Sequence, residues 1–382
     1  YAYLFSDQWE MDTESRENPA AYTPTVDGEV MKCGNIYLPP DGLGNSYLVI
    51  TSVKLDDPGT VVDQKAILGQ SGDVYMSGES IFAYETIGQY YNFVPLARME
   101  TAKDATTSDE TNDGPTVETC IRKFTFKDGM LQGDAQVKLA GMVDDSFSLD
   151  EFDGHLRVVT TVYDGDGNTE NALYVLNDQL EETGRIDNIA PGEQVYSARF
   201  LGETGYFVTF KQVDPLFSVD LSDPANPRII GELKIPGFSE YLHPYGDGLL
   251  LGIGMSADDA GATDGLKLSM FDVSDPANVT EVATSVLDQV YYSDVFTSYK
   301  AALIEPETDI IGFAIDGGEG PEYCVFGYNN NAFDQKMREH VNNTGWLSTR
   351  GVRIGDVLYV IGSNALESYQ IGSYEKIDDL LI

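Results

Sequence analysis

Three groups of residues in this 382-residue chain have types and spacing that could do chemistry. The first is Asp164–Gly165–Asp166–Gly167–Asn168, within VYDGDGNTENALYV. Carboxylates at alternate positions can converge on one Ca²⁺, and glycines allow a tight wrap. An EF-hand loop also needs Glu at its twelfth position; position 175 is Val, so that motif fails. Asp164, Asp166 and Asn168 are the expected calcium ligands, and a Gly-rich turn between two strands is the competing reading. The second is His243, in SEYLHPY, one of three histidines with His155 and His340. Nothing in their spacing suggests a metal triad. His243 is a candidate ligand or channel residue at the start of an inner strand, against a purely structural role. The third is Asp150–Glu151 with Asp153, in FSLDEFDGHLR. Adjacent carboxylates on a strand point to opposite faces, so Asp150 and Glu151 cannot share a substrate directly. A solvated turn is the alternative.

Nucleophile motifs are missing. Gly69–Gln70–Ser71–Gly72 approaches G-x-S-x-G but has Asp73 where Gly is needed. There is no HExxH, no Walker A loop and no GxGxxG after a strand. No catalytic residue is assigned on sequence. The only tryptophans are Trp9 and Trp346, which argues against the Trp-docked propellers that bind quinone cofactors.

The elements that must hold these groups are strands. From Tyr196 to Gly254 four short runs, SARFL, GYFVTF, LFSVDL and RIIGELKI, are rich in Val, Ile, Phe and Tyr. Gly202–Gly205, Asp214–Pro215 and Ser222–Pro227 separate them as turns. The unit is a four-stranded antiparallel meander. Its VDLSDPAN, from Val219, returns as FDVSDPAN from Phe271, 52 residues later. A four-stranded repeat of that length marks a β-propeller blade. The chain is expected to be all-β, one propeller domain over 1–382, with about seven four-stranded blades and six or eight as alternatives.

Blade 1 is expected from Tyr1–Ser6, Ser46–Leu55 and Val61–Leu68. It is one strand short, which a segment upstream of Tyr1 would supply. Asp7 to Asn45 reads as mostly irregular, and Thr101 to Pro115 as a polar loop. Blade 2 starts near Val74, blade 3 covers Ser146–Ile189, and blade 5 runs from Tyr241 to about Leu287. Blade 6 carries the only helical hint, Ala332 to His340.

The motifs VYMSGESIF, SFSLDEFDGHLR, DPLFSVDLSDPANP, LKIPGFSEYLHP, GLKLSMFDVSDP and IGDVLYVIG resemble a secreted prokaryotic β-propeller family, distantly WD40-like. The resemblance implies an exported protein, often tethered to the cell surface, with its signal or anchor upstream of Tyr1. It implies no catalytic residues. The chain departs from the pattern at Val143–Asp144–Asp145.

Composition narrows the classes further. Sixty-three acidic residues against 23 basic ones give a net charge of −40, which repels nucleic acid and anionic membranes. No apolar run reaches membrane-spanning length. Cys33, Cys120 and Cys324 form no CxxC and are expected as buried free thiols. The functional expectation is a monomeric, non-catalytic scaffold outside the cell or on its surface, binding a protein or glycan partner. Ca²⁺ is the one cofactor expected. The alternative is a carboxylate-based hydrolase or lyase acting in the central channel.

Overall fold

The computed structural model describes residues 2–5, 18, 21–26, 28–39, 46–69, 73–88, 117–164, 166–210, 214–246, 248–257, 263–318, 320–342 and 348–381. Among these, seven four-stranded sheets account for nearly all regular structure, with short 3₁₀ turns and no α-helix. The chain divides into two compact units, Tyr1–Asp187 and Asn188–Ile382.

Blades 1 to 3 fall in the first unit, the last strand of blade 3 running just past its end. Blade 2 is a plain meander of Asp73–Met76, Ser80–Gly88, Val117–Lys127 and Met130–Ala140. Blade 3 follows with Leu149–Phe152, His155–Tyr163, Thr169–Leu176 and Glu182–Ile189. Middle strands read as continuous apolar runs because both their faces are covered. In Thr169–Leu176 the last six residues are all buried. Phe82, Tyr84 and Ile121 of blade 2 pack against Leu156, Val158 and Tyr174 of blade 3. Leu48, Ile50 and Ile67 of blade 1 do the same against Ile81, Ala83 and Phe124.

Blade 1 corrects the sequence reading. Its sheet order is Ala2–Phe5, Ser46–Val53, Val61–Leu68, Ile36–Tyr37. The fourth strand comes from the long Asp7–Asn45 excursion, and it runs parallel to Val61–Leu68, pairing Ile36 with Ala66 and Tyr37 with Ile67. All four strands of this blade lie within residues 2–68. The described part of the excursion is tied down as well. Thr25–Val26 and Glu29–Val30 pair, and Met31, 2% exposed, packs with Tyr47, Val49 and Ala66. Beside it Cys33 is exposed, whereas Cys120 and Cys324 are buried, so the expectation of three buried thiols fails at Cys33. The Thr101–Pro115 loop lies outside the described residues.

The second unit holds blades 4 to 7. Blade 4 is Gln194–Leu201, Thr204–Phe210, Asp214–Asp220 and Arg228–Ile235; blade 5 is Phe238–Pro244, Leu249–Ala257, Thr263–Asp272 and Thr280–Asp288. The SDPAN repeat is the turn between their third and fourth strands. Asp220 accepts from Ser222 N–H at 3.0 Å and its hydroxyl at 2.6 Å; Asp272 accepts from Ser274 at the same two distances. Asp223 and Asp275 then cap Ala225 and Ala277 and take the Asn226 and Asn278 amides. The Ser222 hydroxyl, its N–H and Arg228 hold the Asp220 carboxyl down at about 2. The repeat is thus a turn whose hydrogen bonds are local side chain to backbone.

Blade 6 is Leu303–Glu305, Ile310–Asp316, Pro321–Asn329 and Ala332–His340; blade 7 is Arg350–Ile354, Val357–Ile361, Ala365–Gln370 and Lys376–Leu381. Ala332–His340 is a strand, not a helix. It pairs with Pro321–Asn329 along its whole length, and as a fourth strand it needs few apolar residues, so its polar sequence carried no clear strand signal. Tyr323 is fully buried among Ile310, Ala314, Leu358 and Val360. Its hydroxyl has no hydrogen-bond partner among the described residues and stands against Gly312 and Gly351, where a Cβ would meet it at 2.7 and 1.9 Å.

Candidate functional site

In the first unit, a cleft of about 1100 Å³ is walled by Ser77, Ser80, Lys123, Glu151, Asp153 and Asp178 from blades 2 and 3. Lys123 is the pivot. Only 3% of its side chain is exposed. A charge removed from water to that degree must be paired. Its ammonium pairs with Asp178 and stands 3.5 Å from Oε1 of Glu151. Glu151 in turn accepts from the Ser80 hydroxyl at 2.9 Å and from the Ser77 hydroxyl. Its backbone N–H donates to the Tyr75 hydroxyl at 3.0 Å. Glu151 therefore fastens blade 3 to blade 2, and both carboxylate oxygens are engaged.

Asp150 points the other way, as strand alternation requires. It pairs with Arg157, whose side chain is 3% exposed and whose guanidinium lies 4.8 Å from the Phe152 ring centre. Of the sequence-predicted acids, then, Glu151 and Asp153 share the cleft, and Asp150 does not line it.

Asp164, Asp166 and Asn168 sit at the hairpin joining the second and third strands of blade 3. Asp164 Oδ1 accepts from the N–H of Asp166 at 2.9 Å and of Asn168 at 2.8 Å; Oδ2 accepts from the Asn168 amide at 2.8 Å. The Asn168 bonds, side chain first, hold the Asp164 carboxyl below its ordinary value. Both oxygens of Asp164 face N–H donors, and Asn168 presents its amide nitrogen to the carboxylate. In this arrangement the three residues close the turn through hydrogen bonds to one another. No group of three or more His, Cys, Asp or Glu placed to hold a metal occurs among the described residues.

His243 lies in the second unit, on the first strand of blade 5. Its Nδ1 is 2.7 Å from the Tyr241 hydroxyl, two residues away on the same face. Burial first, and the Arg199 charge second, push His243 down to about 4. It is neutral at pH 7. Arg199, from the first strand of blade 4, donates through Nε at 2.9 Å and through Nη2 to the Leu242 carbonyl. Ser197 donates to the Ser239 carbonyl at 2.6 Å. Arg199 and Ser197 thus latch two blades through backbone carbonyls, with His243 beside the latch.

Two features escaped the sequence reading. Asp144, just before blade 3, is exposed; desolvation by neighbouring protein atoms, then the Asp145 charge, raise its carboxyl toward about 7. The other is the connection from 289 to 302 between blades 5 and 6. Tyr291, Tyr292 and Tyr299 are 56, 43 and 47% exposed there. The segment beneath them is pinned. Ser293 donates to the Ala314 carbonyl at 2.6 Å, Asp316 N–H to the Tyr292 carbonyl at 3.1 Å, and Thr349 N–H to Asp294 Oδ2 at 2.6 Å. Tyr292 meets Phe296 edge-on at 6.2 Å. The run YYSDVFTSYK, aromatic-rich between two strands, was the signal.

A sequence profile described as "Beta propeller domain" matches residues 1–374. The chain belongs to the Beta propeller domain family. An uncharacterised protein of Archaeoglobus fulgidus is 38% identical to this propeller over 262 residues, 69% of the chain and 38% of that protein. An uncharacterised protein of Methanocaldococcus jannaschii is 43% identical over 169 residues, 44% of the chain and 26% of that protein. The propeller thus spans well under half the length of these relatives. Among solved structures, a candidate 6-phosphogluconolactonase from Bacteroides fragilis aligns with a TM-score of 0.50 at 11% identity, covering 88% of this chain and 95% of that one. That likeness concerns the fold alone. No helix among the described residues is long and apolar enough to cross a membrane.

Proposed function

We propose that this propeller is a non-catalytic binding scaffold for a protein or glycan partner, working outside the cell or at its surface. The observation that carries this reading is the pinned connection from 289 to 302, with three tyrosines between 43 and 56% exposed. Tyr offers a large amphipathic contact area for two χ angles of lost freedom, and such rings recur as anchors in recognition surfaces. Holding them on a hydrogen-bonded segment lowers the ordering cost of binding. The location outside the cell rests on the family resemblance of the sequence motifs. Against the hydrolase alternative stands the engagement of Asp150 by Arg157 and of Glu151 by Lys123, Ser77 and Ser80.

The test is a glycan array, and a panel of purified cell-envelope proteins, probed with the intact chain and with the Tyr291→Ala/Tyr292→Ala/Tyr299→Ala variant. Loss of a single interaction at least tenfold supports the assignment. Equal binding by both proteins would sink it, as would turnover of any glycan on the array.

A further inference from the structure

A second recess in the first unit has a different character from the acidic molecule around it. It occupies about 470 Å³ and lies between blade 1 and blade 2. Lys65, Arg122 and Lys123 are among its twelve lining residues, and no Asp or Glu is. Acids outnumber bases 63 to 23 in the whole sequence, so a lining without an acid is unusual for this chain, although Asp63 and Glu85 stand beside Lys65 and Arg122. One wall is Gly34–Asn35–Ile36–Tyr37, the part of the long excursion that supplies the parallel fourth strand of blade 1. That insertion therefore does more than complete a sheet: it closes a cavity of the size that small ligands occupy.

The groups inside are graded in how firmly they are held. Arg122 is 3% exposed and bonded to Glu85 at 2.7 Å. Lys123, next along the strand, turns its ammonium to the opposite face, into the other cleft, where Asp178 and Glu151 hold it. Lys65 is looser. Its ammonium stands 3.6 Å from Asp63 and 3.4 Å from the Asn35 side-chain oxygen. Charge-assisted bonds normally close to about 2.7–2.9 Å, so these contacts leave an ammonium with three donors under-coordinated. The Tyr37 hydroxyl donates to Gln136 Oε1 at 2.8 Å across the recess. The remaining surface includes Ile36, Ala66, Phe124 and Ala135, which suit an apolar body.

We infer that this recess binds a small organic acid, one carboxylate on an apolar or aromatic body, with Lys65 as the group that reads the charge. The whole-molecule field opposes an anion at long range, so selection for one has to come from the lining itself. This site is separate from the tyrosine connection and does not depend on it.

Benzoate, benzamide and benzamidine share a shape and differ in charge. Titrated into the intact chain by calorimetry, benzoate binds saturably and at least tenfold more tightly than benzamide, and benzamidine does not compete with it. Lys65→Gln lowers benzoate affinity at least tenfold and leaves benzamide unchanged. Gly133→Leu fills the recess and removes both. Gly133 lies on a strand with ordinary φ, and a Cβ there meets only the Phe124 ring at 3.5 Å, so the backbone accepts a side chain, and circular dichroism checks that the variant retains the fold. The inference is overturned by any of three results: no saturable benzoate binding, equal binding of benzamide or benzamidine, or undiminished benzoate affinity in Lys65→Gln. The tyrosine variant leaves benzoate binding intact, so failure of one proposal does not touch the other.

Discussion

The slot around Tyr323 makes a sharp test of how blades 6 and 7 pack. A Cβ at Gly312 would sit 2.7 Å from the Tyr323 hydroxyl but 3.3 Å from the ring carbons Cε1 and Cζ. Gly312 has no left-handed φ, so Gly312→Ala strains packing and not backbone. Overpacking of this kind costs about 1–3 kcal/mol. The hydroxyl is buried without a partner, and leaving such a group buried costs about 1–3 kcal/mol. Tyr323→Phe is therefore neutral or stabilising by itself. In the double variant the 2.7 Å contact is gone and 3.3 Å carbon contacts remain, so Gly312→Ala becomes nearly harmless. The expected coupling is about 1–2 kcal/mol, with Phe rescuing Ala. Gly351 is the internal control. A Cβ there would be 1.9 Å from the hydroxyl and still 2.6 Å from Cζ, so Gly351→Ala stays damaging in either background. The assay is urea unfolding of all variants, comparing midpoints at equal slope. If Gly312→Ala costs the same with Phe as with Tyr at 323, the clash is not with the hydroxyl and the reasoning fails. A clear loss of stability in Tyr323→Phe alone would show that the hydroxyl has a partner.

Three further outcomes follow from the ionisable groups and the turn. His243 binds its proton less readily folded than unfolded, so its contribution is complete above about 6.5 and is lost as pH falls from there to about 4; His243→Gln flattens the stability profile in that window by up to about 3 kcal/mol, and an unchanged profile refutes the burial argument. Asp144 has the opposite sign: its raised carboxyl destabilises the fold increasingly as pH rises from about 3.8 to about 7, and no further above that. Asp144→Asn therefore melts higher than the parent at pH 8, an advantage that shrinks by pH 4; the reverse order refutes it. For the Asp164 hairpin, chelator and added Ca²⁺ leave the melting temperature unchanged, and Asp164→Ala lowers it through the lost turn bonds; a Ca²⁺-dependent rise would restore the calcium reading.

Blades 4 and 5 were legible because their signals are local. Asp220 finds Ser222, and Asp223 finds Ala225 and Asn226, within three residues, so the turn is written where it forms. The strand Ile36–Tyr37 was not legible. It is two residues long, parallel, and its partners Ala66 and Ile67 lie 30 residues on, so neither period nor turn announces it. The candidate acids show the same divide. Alternation correctly separated Asp150 from Glu151, but the buried cation that decides what Glu151 does, Lys123, comes from another blade. Around Asp164 the residues expected to wrap an ion also make turn bonds to one another, because Asp and Asn serve turns and metals with the same oxygen atoms.

The exposure of Cys33 has a practical consequence. Of the three thiols in the sequence, the two others are buried, and burial pushes the Cys324 thiol up to about 12, out of the range where it reacts. A maleimide dye should therefore attach at one position on the folded chain without any engineering. That position adjoins Gly34, at the rim of the recess between blades 1 and 2. The protein carries a natural attachment point for an optical reporter beside the cavity whose occupancy most needs to be measured.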